Sequence, residues 1–123
     1  MKTKILILSL GLIMLSFLNS CYYDKADVLT DGFICDTTSY TYSGQIQPII
    51  SQYCISCHNA TTPNGTVRLD NYDQVKINAD NGNLLGAIRH EAGFSNMPKD
   101  QPQLNPCNIT LIEKWVADGS PNN

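Results

Sequence analysis

A chain of 123 residues with a net charge of −3 has room for one small core and no second domain. Its eight basic residues are scattered among eleven acidic ones, so no basic stripe can track a phosphate backbone, and nucleic acid is excluded as a partner. The acidic balance favours a partner with a basic docking face, the alternative being a solvated acidic surface with no partner.

The first stretch is unlike the rest. Lys2 and Lys4 supply positive charge, and an apolar run follows from Ile5 to Leu18, broken only by the small residues Ser9, Gly11 and Ser16. That is the layout of an export signal. The run is shorter than the ~20 apolar residues a membrane span needs. It ends in Leu18-Asn19-Ser20-Cys21, which resembles the bacterial lipoprotein box, where the cysteine is acylated and becomes the new N-terminus. The expected organisation is a signal peptide over 1–20, a lipid on Cys21, an N-terminal tether over 21–42 and a folded domain over 43–121. An ordinary secretory cut near Ser20, leaving Cys21 a bystander, is the alternative. Tyr22 stands where an inner-membrane retention signal would resemble Asp, so the expected location is the periplasm-facing cell envelope, anchored by analogy in the outer membrane.

The tether is polar and lacks helical periodicity. Beyond it Ile46, Ile49, Ile50 and Tyr53 recur at helical spacing. Pro48 must lie in a first turn, so this helix is expected to run from about Ile46 or Pro48 into Cys54. Asn59 to Gly65 reads as a loop. Two short helices are expected near Tyr72 to Ile77 and Leu84 to His90, separated by Gly and Asn residues, before an irregular stretch from Gly93 to Gln103. The last helix has the clearest limits: Asn105 as N-cap, Pro106 in its first position, and Gly119 with Pro121 at its stop. Ile109, Ile112 and Val116 mark one face of it and Leu111 with Trp115 its flank. With no alternating strand pattern and no repeat, the fold class is all-α.

Cys54-Ile55-Ser56-Cys57-His58 has the Cys-x-x-Cys-His spacing of covalent haem attachment. Two thiols add across the two vinyl groups of a haem, two intervening residues let one tight turn present both, and the adjacent imidazole lies beneath the iron. Attachment of this kind occurs outside the cytoplasm, which suits the export signal. Two other chemistries use similar residues. A thioredoxin-like redox pair belongs at the start of a helix beside a strand, whereas this pair falls at a helix's end. A zinc site would draw further ligands from Cys35, Cys107 or His90. A porphyrin would also enlarge a modest core, giving Ile49, Ile50, Leu69, Leu84, Leu85, Ile88, Ile112 and Trp115 a surface to pack on.

Of the three methionines, Met1 and Met14 leave with the leader, so Met97 is the sole thioether of the mature chain. It stands in a polar loop before Pro98, a poor place for core filling and a suitable one for a sixth iron ligand. A Met packed under a loop is the alternative reading of it. His90 is the rival ligand, giving a bis-His iron of lower potential. An open sixth position is the third option.

The order Tyr42…Ile46-x-Pro48-Ile49…Cys54-x-x-Cys57-His58, then Gly65…Leu69-x-x-Tyr72, Met97-Pro98 and Leu104…Ile112-x-x-Trp115-Val116-x-x-Gly119 resembles monohaem class I cytochrome c domains. It is most like the small lipoprotein type of Bacteroidetes-like bacteria, over about residues 36 to 121. The resemblance implies a few helices wrapped around one haem, with the N- and C-terminal helices crossing beside it. It implies one covalent haem c, His58 and Met97 as axial ligands, and electron transfer to redox protein partners in place of catalysis. The short span between His58 and Met97 implies abbreviated loops at the haem edge. Arg68 and Arg89 are candidate partners for the haem propionates, or plain solvated side chains. A haem enzyme or gas sensor with an open or His-ligated sixth position, and a non-haem zinc lipoprotein, are the competing classes.

Five cysteines, less one for lipid and two for haem, leave Cys35 and Cys107. In an oxidising compartment an even remainder suggests a disulfide, here tying the N-terminal lead to the last helix; two free buried thiols are the alternative.

Overall fold

The computed structural model describes residues 35–123. The leader, Cys21 and the first part of the tether lie outside the described residues. Four α-helices make up the domain, with no strand among the described residues. They are α1 (Gln47–Tyr53), α2 (Tyr72–Asp80), α3 (Asn83–Ile88) and α4 (Pro106–Ala117).

The helical run that holds α1 starts earlier than the sequence suggests. A π-helical turn over Tyr42–Ile46 precedes it, with the Gln47 N–H reaching the Tyr42 carbonyl five residues back. Thr41 caps this turn through Oγ1, which accepts from the Gly44 N–H at 3.0 Å, while Gln45 reaches back to accept from the Thr41 N–H at 2.8 Å. This is a reciprocal capping box spread over one extra residue. The helical run as a whole thus begins earlier, while Pro48 keeps its expected place in the first turn of α1. It follows a widened turn, the arrangement a ring with no N–H and a bulk that crowds the preceding turn calls for.

The same turn brings Tyr42, the last residue of the stretch expected as tether, into the core at 6% exposure. Its ring meets Tyr72 edge-on at 5.0 Å and lies 5.6 Å from Trp115. Ile46, Ile50, Val75, Ile112 and Trp115 complete the fully buried centre. The apolar face of α4 is accordingly rotated from the expected one. Leu111, Ile112 and Trp115 are buried, while Ile109 and Val116 are only half-buried. Trp115 is the largest apolar group on the helix and takes the central place, its indole N–H donating to the Pro121 carbonyl at 2.9 Å.

Local chemistry sets the helix limits. Asn71 Oδ1 caps α2 by accepting from the Gln74 N–H, and Asn105 Oδ1 caps α4 by accepting from the Asn108 N–H at 2.8 Å. Gly82 separates α2 from α3 in a left-handed conformation, φ 80°. Cys35 and Cys107 are joined, their Cα atoms 5.5 Å apart, so the N-terminal lead is fastened to the first turn of α4. α4 also packs on the Tyr42–Ile46 turn, which brings the two ends of the domain together.

Candidate functional site

α1 ends on the motif. Cys54 is its C-cap, with its N–H on the Ile50 carbonyl at 2.9 Å, and the N–H groups of Cys57 and His58 both return to the Cys54 carbonyl, at 3.1 and 3.0 Å. This tight turn puts both thiols and the imidazole on one side of the chain. Asn59 fastens it from behind, donating to the Ile55 carbonyl and accepting from the N–H groups of Thr61 and Thr62. The loop then folds back, and the Leu69 N–H donates to the His58 carbonyl at 2.8 Å.

That return also fixes the imidazole. His58 is 9% exposed, and its Nδ1 lies 3.2 Å from the Val67 carbonyl. A carbonyl only accepts, so Nδ1 is the donor of this pair and Nε2 is the nitrogen left for a ligand. Nε2 has no hydrogen-bond partner among the described residues, and His58 lines a cavity of about 930 Å³. The imidazole is thus oriented as metal-ligating histidines are, with one nitrogen held by the backbone and the other bare.

Cys54, Cys57, His58 and Met97 line this one cavity. Its walls are largely apolar, from Val67, Leu69, Leu84, Ala87, Ile88 and Leu104. Phe94 and Pro98 line it too. Of the apolar residues expected to meet a porphyrin, Leu69, Leu84 and Ile88 do line the cavity, whereas Leu85 packs at the edge of the core and Ile49, Ile50, Ile112 and Trp115 lie within it. Sequence reasoning missed Val67, Ala87, Phe94 and Leu104. Val67, Phe94 and Leu104 stand outside the helices, where no periodic face marks them, and Ala87 is a small residue on the α3 face that Leu84 and Ile88 define.

The competing chemistries find less support. Cys35 and Cys107 are bonded to one another and cannot join Cys54 and Cys57 around zinc. No group of three or more His, Cys, Asp or Glu side chains suited to a metal occurs among the described residues. A redox pair needs a thiolate favoured by a helix N-terminus. Here burial, and secondarily the neighbouring Cys57, push the Cys54 thiol up to about 11, at the opposite end of the helix. His90, the rival iron ligand, does not line the cavity; its Nε2 lies 3.0 Å from the Met97 carbonyl. Arg68 is held by Asp70 in a two-pronged pair at 3.1 and 2.9 Å, and Arg89 by Glu113 and Glu91 at 2.7 and 3.1 Å. Neither arginine lines the cavity.

Residues 54–101 match the family described as planctomycete cytochrome C. The match begins on the first motif cysteine and takes in Met97. It supports a cytochrome c-type domain, and such a domain implies covalently bound haem. No curated protein and no solved structure matches the chain. The residues that line the cavity fit that group: two thiols presented by one turn, an imidazole with a free Nε2, a thioether, and apolar walls around them.

Proposed function

We propose that this protein is an electron carrier of the cell envelope, holding one haem through thioether bonds at Cys54 and Cys57, with His58 and Met97 as its axial ligands. The single observation that supports this most is the meeting of all four side chains in one apolar cavity. When bound, the haem supplies one-electron transfer at its iron. The protein's part is to hold it still. Each thiol adds its sulfur and its hydrogen across a vinyl group, so no oxidant is consumed. The Val67 carbonyl keeps His58 in the tautomer that ligates. The apolar walls exclude water and lower the local polarity.

A carrier is favoured over an enzyme or sensor because the other imidazole of the chain, His90, is turned to the Met97 carbonyl and does not border the cavity. The lipoprotein form rests on the leader and Cys21. Anchorage in the outer membrane, facing the periplasm, is its simplest consequence. The Cys35–Cys107 bond suits that oxidising compartment. The acidic balance favours redox partners with a basic docking face.

The test is the visible spectrum of protein made in a host with cytochrome c maturation. Sharp bands in the reduced state, retained by the protein through acid-acetone extraction, are the expected result. A colourless product, or colour that the solvent removes, overturns the proposal.

A further inference from the structure

The end of α3 carries an unusual residue. Ile88 is its last helical position and Arg89 its C-cap, which places His90 just beyond the end. The Glu91 N–H donates to the Gly86 carbonyl at 3.0 Å and the His90 N–H to the Ala87 carbonyl at 3.3 Å. These are the two hydrogen bonds of a Schellman motif, whose turning residue is ordinarily glycine. Here it is histidine, at φ 58°, a left-handed backbone that carries a cost glycine would not. The fold gains something from that imidazole.

What it touches is the Met97 backbone. His90 Nε2 donates to the Met97 carbonyl at 3.0 Å, while the Met97 N–H donates to the Ala87 carbonyl at 3.1 Å. Both polar groups of the Met97 backbone are therefore held, its N–H by the last turn of α3 and its carbonyl by the residue just beyond it. That helix also supplies Leu84, Ala87 and Ile88 to the cavity wall. The rest of the segment faces solvent, residues 91–96 all being exposed, and touches α3 through the Glu91 N–H and the Phe94 ring. Without His90, Met97 would keep only its N–H bond to the helix.

We propose that His90 is a positioning residue for Met97. Its left-handed backbone aims Nε2 at the Met97 carbonyl and so holds the thioether at the cavity wall. This rests on the reading of Met97 as an axial ligand. His90 is then no rival of Met97 but its support, and it acts through the backbone without itself meeting the iron.

The experiment is an imidazole titration of the ferric holoprotein, in which added imidazole competes with the thioether. Four proteins are compared: wild type, His90→Gly, His90→Gln and Met97→Ala. Glycine suits the left-handed backbone, so His90→Gly should unfold no earlier than wild type on heating. It should nevertheless bind imidazole about five- to tenfold more tightly, the effect of one lost hydrogen bond. Glutamine retains a donor at the end of its side chain, and His90→Gln should return to within about twofold of wild type. Equal affinity of His90→Gly and wild type overturns the proposal, as does His90→Gln behaving like His90→Gly. Early unfolding of His90→Gly overturns it too, since the imidazole would then serve the fold and not Met97. If wild type and Met97→Ala bind imidazole alike, the ligation reading itself has failed and takes the proposal with it.

Discussion

The Cys35–Cys107 bond joins positions 72 residues apart in sequence, so nearly the whole domain lies within the loop it closes. Removing it frees the unfolded chain far more than the folded one. For a loop of this length the loop-entropy relation gives a loss of about 4 kcal/mol on replacing both cysteines by alanine. In a domain of this size each kcal/mol corresponds to roughly 4–8 °C, so the melting temperature should fall by roughly 15–30 °C. The double variant Cys35→Ala/Cys107→Ala avoids leaving a lone thiol, and Cys107 only flanks the core, so little packing is lost with it. Urea unfolding of the haem-loaded proteins, followed by far-ultraviolet circular dichroism, measures the difference directly. An equal urea slope for the two proteins would make the comparison of midpoints valid. A loss below about 1 kcal/mol would refute the reasoning, because it would mean that the lead does not restrain the domain.

Two further outcomes follow from the cavity. Met97→Ala should open the sixth position, so that the reduced protein binds carbon monoxide at once and its potential falls from the value His/Met ligation sets; a variant as inert to carbon monoxide as the wild type would contradict this. Gly86→Ala would bring a methyl group to 2.6 Å from the Phe94 ring, which lies against this turn of α3. The ring must move out, at a cost of about 1–3 kcal/mol offset by about 1 kcal/mol of helix propensity, and unchanged urea stability with an unchanged haem spectrum would disprove the contact.

Much of the fold could be read from local chemistry. Asn105, Pro106 and Gly119 delimit α4 because capping and the proline ring act within one turn and need no tertiary context. The Cys54–His58 turn is legible for the same reason: its spacing is its geometry. The π-helical turn at Tyr42–Ile46 is not, because Ser43, Gly44 and Gln45 interrupt the apolar pattern and Pro48 suggests a later start. Tyr42 enters the core only through its meeting with Tyr72 and Trp115, residues distant in sequence. The same limit hides the support of the site. Val67 orients His58 with a backbone carbonyl, a group every residue possesses, and no side-chain pattern announces it. His90 looks like a candidate ligand in the sequence, and its engagement with the Met97 carbonyl emerges only when α3 and the following loop are placed together.

The central claim is a covalent bond between this chain and one haem at Cys54 and Cys57. Intact-mass measurement of the matured protein, followed by sequencing of the peptide that contains Cys54 to His58, tests it most directly. The account predicts a mass raised by one haem, carried on that peptide and lost when both cysteines are replaced by alanine. A peptide of unmodified mass with two free thiols would contradict it.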